Sequence, residues 1–165
     1  RAIVFRGASE LFIQSRDSRP FDRYFPDLHE ALLERLPKGC VVDGEIVIAT
    51  PDGLDFDALQ MRLHPAASRV AMLARETPAS FVAFDLLAAR GRNRMAAKQE
   101  ERRALLEGLL EEASPPLYLT PVTRSYRTAA GWLDRFEGAG LDGVMAKQAS
   151  GAVVLQYGET MVLAA

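Results

Sequence analysis

The stretch Cys40-Val41-Val42-Asp43-Gly44-Glu45-Ile46-Val47-Ile48-Ala49 decides how this 165-residue chain reads. Its β-branched residues make it a strand, interrupted by Asp43-Gly44-Glu45. Successive strand side chains alternate faces, so Asp43 and Glu45 point the same way with a glycine between them. A glycine inside a strand marks a bulge or the close approach of a ligand. Two readings stay open for the pair: a hydroxyl acceptor or metal-site carboxylate, or a bulge carrying solvated acids.

On the N-terminal side, residues 2–6 and 11–14 flank Gly7-Ala8-Ser9-Glu10 as a predicted hairpin. Residues 27–36 place Leu28, Leu32, Leu33 and Leu36 on one helical face, and Pro37 stops the helix. On the C-terminal side, residues 55–63 and 66–75 are predicted helices separated by His64-Pro65, and residues 80–87 are a buried strand. A helix is predicted over 98–112, with Leu105, Leu106, Leu109 and Leu110 in one stripe. Another follows over 128–138, then short strands at 143–147 and 152–156. Strands and helices mixed in this order give an α+β or α/β domain.

Composition narrows the function. A formal net charge of −2 excludes a generally basic DNA-coating protein. No apolar run approaches membrane-spanning length, and the first residues lack the form of a signal peptide. The single cysteine, Cys40, excludes an internal disulfide framework and a cysteine zinc cluster, so the expected compartment is the cytoplasm. The 20 basic residues include only three lysines, Lys38, Lys98 and Lys147. Arg90, Arg92, Arg94, Lys98, Arg102 and Arg103 form the most basic stretch, readable as a solvated loop and helix face or as a phosphate-binding surface.

Three further segments could carry chemistry. Strand alternation in Phe81-Val82-Ala83-Phe84-Asp85 sets Phe84 opposite Asp85, and an aromatic at a strand end either stacks on a base or fills the core. In Asp142-Gly143-Val144-Met145-Ala146-Lys147 the acid could hold a divalent metal and the lysine could neutralise phosphate, or the two could be a structural strand-end pair. The turn Ser15-Arg16-Asp17-Ser18-Arg19-Pro20 could offer arginines to a nucleic-acid backbone or simply be solvated. His29, His64 and Cys40 read as structural.

Taken in order, Ser15-Arg16, Asp43-Gly44-Glu45-Ile46-Val47, Phe81 to Leu87 and Asp142 to Lys147 resemble the motifs of ATP-dependent DNA ligase adenylation domains. Leu54 to Gln60 and Glu101-Arg102-Arg103 with the leucines that follow also look like that family, as in the small C-type ligases of actinobacteria. The resemblance implies an α+β nucleotidyltransferase (ATP-grasp-like) fold of antiparallel sheets flanked by helices. It implies ATP and Mg²⁺ or Mn²⁺ as cofactors, nicked or broken duplex DNA as partner, no membrane, and a monomer. By carry-over, Arg1, Glu45, Phe84 and Lys147 bind nucleotide: Glu45 accepts from the ribose, Phe84 stacks on adenine, Lys147 lies near the phosphates, and Arg1 is the arginine that closes the family's first motif. Asp142 helps place the metal, and Arg16, a DNA-binding residue by the same carry-over, approaches nucleotide or DNA phosphate.

The family's nucleophile is the lysine of Lys-x-Asp-Gly, because the covalent intermediate needs an amine. Asp-Gly occurs at 43–44, 52–53 and 142–143, and Val41, Thr50 and Gly140 stand two residues before each Asp. The chain therefore holds no such lysine, and the motif is expected immediately before Arg1. Leu163 and Ala165 stand where the family's last adenylation motif carries two lysines, and the oligonucleotide-binding domain is expected to be absent. The expectation is a partial adenylation domain, inactive alone, of a parent that seals DNA breaks. The alternative is a non-catalytic nucleotide- or DNA-binding remnant.

Overall fold

The computed structural model describes residues 1–136 and 143–147, and the strand backbones at 154–155 and 163–164. Its main sheet starts from the predicted hairpin, β1 (Ala2–Arg6) and β2 (Leu11–Ser15), closed by the Gly7 N–H donating to Glu10 O at 2.9 Å. Helix α1 (Pro26–Arg35) follows, with proline in its first turn, where the missing N–H costs no hydrogen bond. Strand β3 (Cys40–Val47) then pairs antiparallel with β1, so that Ala2 faces Gly44 and Ile3 faces Asp43.

A small ribbon, β4 (Ala49–Thr50) with β5 (Gly53–Leu54), leads into α2 (Phe56–Met61). Asp55 caps α2 by accepting the Ala58 N–H at 2.8 Å. Helix α3 (Ala67–Glu76) precedes the long strand β6 (Ser80–Ala89), which lies antiparallel to β3. β7 (Arg92–Asn93) turns back on β6 through Arg90-Gly91, both at positive φ, the geometry of a two-residue hairpin turn. After α4 (Gln99–Leu109), strand β8 (Leu117–Leu119) joins the same edge of β6 in parallel. The sheet order is thus β2-β1-β3-β6, with β7 and β8 beyond.

Helix α5 (Tyr126–Phe136) comes next, followed by β9 (Met145–Lys147), which pairs antiparallel with β10 (Val154–Leu155) and parallel with β11 (Leu163–Ala164). The α+β expectation holds; the sheets are antiparallel apart from the β8 and β11 pairings.

One face of the main sheet is the core. Val4, Ile13, Val42, Phe81 and Leu86 meet Leu28 and Leu32 of α1 and Leu106 of α4, all fully buried. Each such side chain contributes about 2 kcal/mol. The predicted stripes are present but narrower: Leu33 is only partly buried, and Leu105 is exposed. The even-numbered residues of β3 face this core, so Asp43 and Glu45 emerge together on the opposite face, as period-two alternation requires.

Cys40 belongs to the same core. Burial pushes its thiol up to about 11, from 9.0. The folded chain keeps the proton where the unfolded chain loses it, so stability falls as pH rises from 9.0 to about 11. At pH 8 a thiol reagent should label native protein roughly a hundredfold more slowly than protein unfolded in urea; equal rates would contradict the buried placement.

Candidate nucleotide site

The face opposite the core gathers the charged residues. Gly44 allows this by what it lacks. A Cβ there would lie 2.4 Å from the Phe81 ring and 2.6 Å from the Val82 carbonyl oxygen, both on β6. The close approach that a strand glycine signals is therefore made by the neighbouring strand, and a ligand is not its cause.

β6 carries the decisive irregularity. Asp43 pairs with Asp85 while Gly44 pairs with Ala83, so Phe84 is an extra residue, and the register shifts again between Val41 and Val42. Ala83 and Leu86 both point into the core. The bulge between them turns Phe84 and Asp85, which are consecutive, to the same outer face. Simple alternation separates these two residues, and the structure corrects it. Thr120, just beyond β8, secures the bulge: its N–H and its Oγ1 both donate to Ala83 O, at 2.9 and 2.8 Å.

Phe84 is buried outside the core cluster, beneath two cations. The Arg1 guanidinium carbon lies 5.5 Å and Lys147 Nζ 5.4 Å from its ring centroid, both within cation–π range. Arg1 also donates through Nε to Asp43 Oδ1 at 3.0 Å and through Nη2 to Asp43 Oδ2. This hydrogen-bonded pairing with Asp43 raises the Arg1 pKa above its already high value.

Lys147 reaches the same place from β9, with Nζ 3.8 Å from Asp85 Oδ2. Its pKa is lowered, first by burial, although Asp85 and Asp43 pull the other way. Asp85 itself is held by α4. Arg102 donates through Nε to Oδ1 and through Nη2 to Oδ2, both at 2.9 Å, and through Nη1 to Ala97 O at 2.7 Å. That bidentate bond raises the Arg102 pKa.

Arg1, Glu45, Phe84 and Lys147 thus share one face. Glu45 is partly buried there, two residues from Asp43. Arg16 is exposed on the turn after β2, at the end of the sheet where Ser15 pairs with Ala2. This turn is closed by Ser15 Oγ, which accepts the Arg19 N–H at 3.0 Å. Asp142 lies outside the described residues, as does residue 165.

The basic stretch divides. Arg90 and Arg92 are exposed around the hairpin turn and Lys98 is exposed before α4, whereas Arg102 is the Asp85 clamp. Arg103 is buried, donating to Thr120 O at 2.8 Å and to Glu107 Oε1 at 2.7 Å. Asp85 and Arg102 are the site residues that sequence reasoning passed over. His29 and His64 are structural as expected: His29 pairs with Asp22 at 2.8 Å, and His64 Nδ1 accepts the Ala66 N–H.

An aromatic face flanked by two cations suits a planar base bearing an anionic tail. Among the described residues, no group of three or more His, Cys, Asp or Glu gathers to hold a metal ion. No helix among the described residues is long and apolar enough to cross a membrane.

Comparison with known proteins identifies the family. Residues 1–155 match a family model described as the ATP dependent DNA ligase domain. DNA ligase C2 of Mycolicibacterium smegmatis is 55% identical over 147 residues, covering 89% of this chain and 42% of the relative. DNA ligase C of Mycobacterium tuberculosis is 51% identical over 151 residues, with the same coverage of 89% and 42%. Among solved structures, the ligase domain of M. tuberculosis LigD superposes with a TM-score of 0.52 at 29% identity, covering 72% of this chain and 35% of that one. A mycobacterial DNA ligase D complexed with ATP and MES gives 0.50 at 28%, with coverage of 72% and 35%. The chain therefore spans less than half the length of these relatives.

Proposed function

The chain belongs to the ATP-dependent DNA ligase family, and from that premise we propose that residues 1–165 are the nucleotide-holding part of an adenylation domain. Its parent seals breaks in duplex DNA through a lysyl-adenylate and a DNA-adenylate. The observation that carries this reading is Phe84, turned out of the core by a bulge and flanked by Arg1 and Lys147. Phe84 stacks on adenine, Glu45 accepts a hydroxyl of the ribose, and Arg1 and Lys147 neutralise phosphate oxygens. Arg16, exposed at the same end of the sheet, meets a DNA phosphate.

These roles fit nucleotidyl transfer, in which the protein mostly positions the phosphates and neutralises charge. A divalent metal, Mg²⁺ or Mn²⁺, would add charge neutralisation at the phosphates. Asp142 is its proposed protein ligand, since Asp43 and Asp85 already serve arginines. Burial lowers the Lys147 pKa, and an arriving phosphate would favour its ammonium form. We place the protein in the cytoplasm, as a monomer.

Titration of the full chain with ATP and Mg²⁺ tests this. Phe84→Ala should weaken binding by roughly 10- to 100-fold, the range set by losing one stacked base. An unchanged affinity would remove Phe84 from the site. With no Lys-x-Asp-Gly in the sequence, labelled ATP should leave no AMP on Lys38, Lys98 or Lys147, and a stable adduct on any of them would overturn the assignment.

A second reading, a non-catalytic nucleotide- or DNA-binding remnant, is favoured by Leu163 and Ala165 in the positions of the family's lysines. The coding sequence upstream of Arg1 separates the two: an in-frame Lys-x-Asp-Gly supports the ligase, and a stop codon supports the remnant.

A further inference from the structure

We propose that Arg102 is a positioning residue: by clamping both Asp85 oxygens it keeps that carboxylate at ion-pair distance from Lys147, short of a hydrogen bond, so that the lysine amine over Phe84 can turn to a nucleotide phosphate. This rests on the nucleotide role proposed above for Lys147.

The geometry is specific. Asp85 Oδ1 accepts from Arg102 Nε and from the Leu86 N–H at 2.8 Å, and Oδ2 accepts from Arg102 Nη2. Both oxygens are therefore committed in a planar, two-pronged bond that only an arginine makes. Arg102 is in turn fixed by its bond to Ala97 O, and Asp85 by its place in the β6 bulge. Lys147 stands at 3.8 Å from Oδ2, beyond hydrogen-bond length but within reach after a small rotation. Without Arg102, the most favourable partner left for the buried carboxylate is Lys147. The amine would close onto Asp85 and leave the Phe84 ring.

Among the described residues, the groups facing Lys147 are Asp85 from β6, Asp43 from β3, Arg102 from α4 and Arg1 ahead of β1. Arg1 is occupied by Asp43, so Asp85 is the carboxylate whose availability changes when Arg102 is removed.

The presence of only three lysines makes the test direct. In the full-length chain, acetylation of Lys147 is followed against pH by peptide mass spectrometry, with exposed Lys38 as the internal reference. Arg102→Gln should slow Lys147 at pH 8 by about tenfold or more, the effect of one unit of pKa. Arg102→Lys keeps the charge but cannot bridge both oxygens, and should give about a threefold slowing. Adding Asp85→Asn to Arg102→Gln should return Lys147 to within about twofold of wild type; a bystander that merely packs α4 would show no such rescue.

An unchanged Lys147 rate in a cooperatively melting Arg102→Gln protein overturns the proposal, as does failure of the double variant to restore the rate. Should Arg102→Gln not fold, Arg102→Lys decides in the same way. ATP titration of wild type is read separately. Responsive Lys147 without ATP binding overturns the nucleotide reading and keeps the clamp, whereas ATP binding with unresponsive Lys147 overturns the clamp alone.

Discussion

Arg62→Ala should destabilise the chain by about 3–5 kcal/mol, enough to consume much of the stability of a domain this size. Among the described residues, Arg62 is the largest fully buried side chain. It lies just past α2 with its guanidinium over the Phe25 ring, 5.0 Å from the centroid. It donates to Tyr24 O at 3.2 Å, to Thr77 O at 3.0 Å and to both oxygens of Asp27. Asp27 also accepts the Ala79 N–H at 2.9 Å. One side chain therefore ties together the entry to α1, the end of α2, the end of α3 and the approach to β6. Removing it strands a carboxylate and two carbonyls in a place water reaches poorly. Urea denaturation measures the loss. Combining Arg62→Met with Asp27→Asn should cost less than Arg62→Ala, because the unpaired charge leaves with its partner. A loss below about 1 kcal/mol for Arg62→Ala would show that the network is not structural.

The second large effect is expected at Gly44. Gly44→Ala puts a methyl 2.4 Å from the Phe81 ring and 2.6 Å from the Val82 carbonyl. Phe81 is fully buried, and the carbonyl belongs to a strand paired with β3, so neither has room to yield. Overpacking of this kind costs about 1–3 kcal/mol, and contact with backbone favours the upper end. Because β3 would be pushed from β6, Asp43 and Glu45 would shift relative to Phe84. ATP affinity should therefore fall along with stability. Gly108→Ala is the control: nothing lies within 4 Å of its would-be Cβ, and in α4 it should stabilise by about 0.5–1 kcal/mol. Denaturation curves and ATP titrations of the two variants give the comparison; a Gly44→Ala protein as stable as wild type would refute the contact.

Asp43 and Glu45 could be set on one face from the sequence because the core-facing residues of β3, Cys40, Val42 and Ile46, keep an even spacing. Gly44 could be singled out as a point of close approach, yet what approaches it lies 37 residues further along, and only the fold names Phe81. The joint orientation of Phe84 and Asp85 was not legible, since a bulge leaves no mark on local hydrophobicity; it follows from pairing with β3 and bonding to Thr120. Arg62 and Arg102 were hidden for a related reason. Each reads as an ordinary charge at a helix end or on a helix face, and each is defined by an aspartate on a distant element. Family resemblance supplied roles for Glu45 and Lys147 but not for Asp85 and the arginine that holds it.

The cations over Phe84 give base binding a particular logic. The ring is already occupied by Arg1 and Lys147, so a purine arriving there trades places with charges. Under the proposed role, the groups evicted from the ring are the ones that receive the phosphates. A nucleoside without phosphates would displace them and give them no new counter-charge. Phe84 would then act as a coincidence detector, rewarding a base and an anion only when both arrive on one molecule.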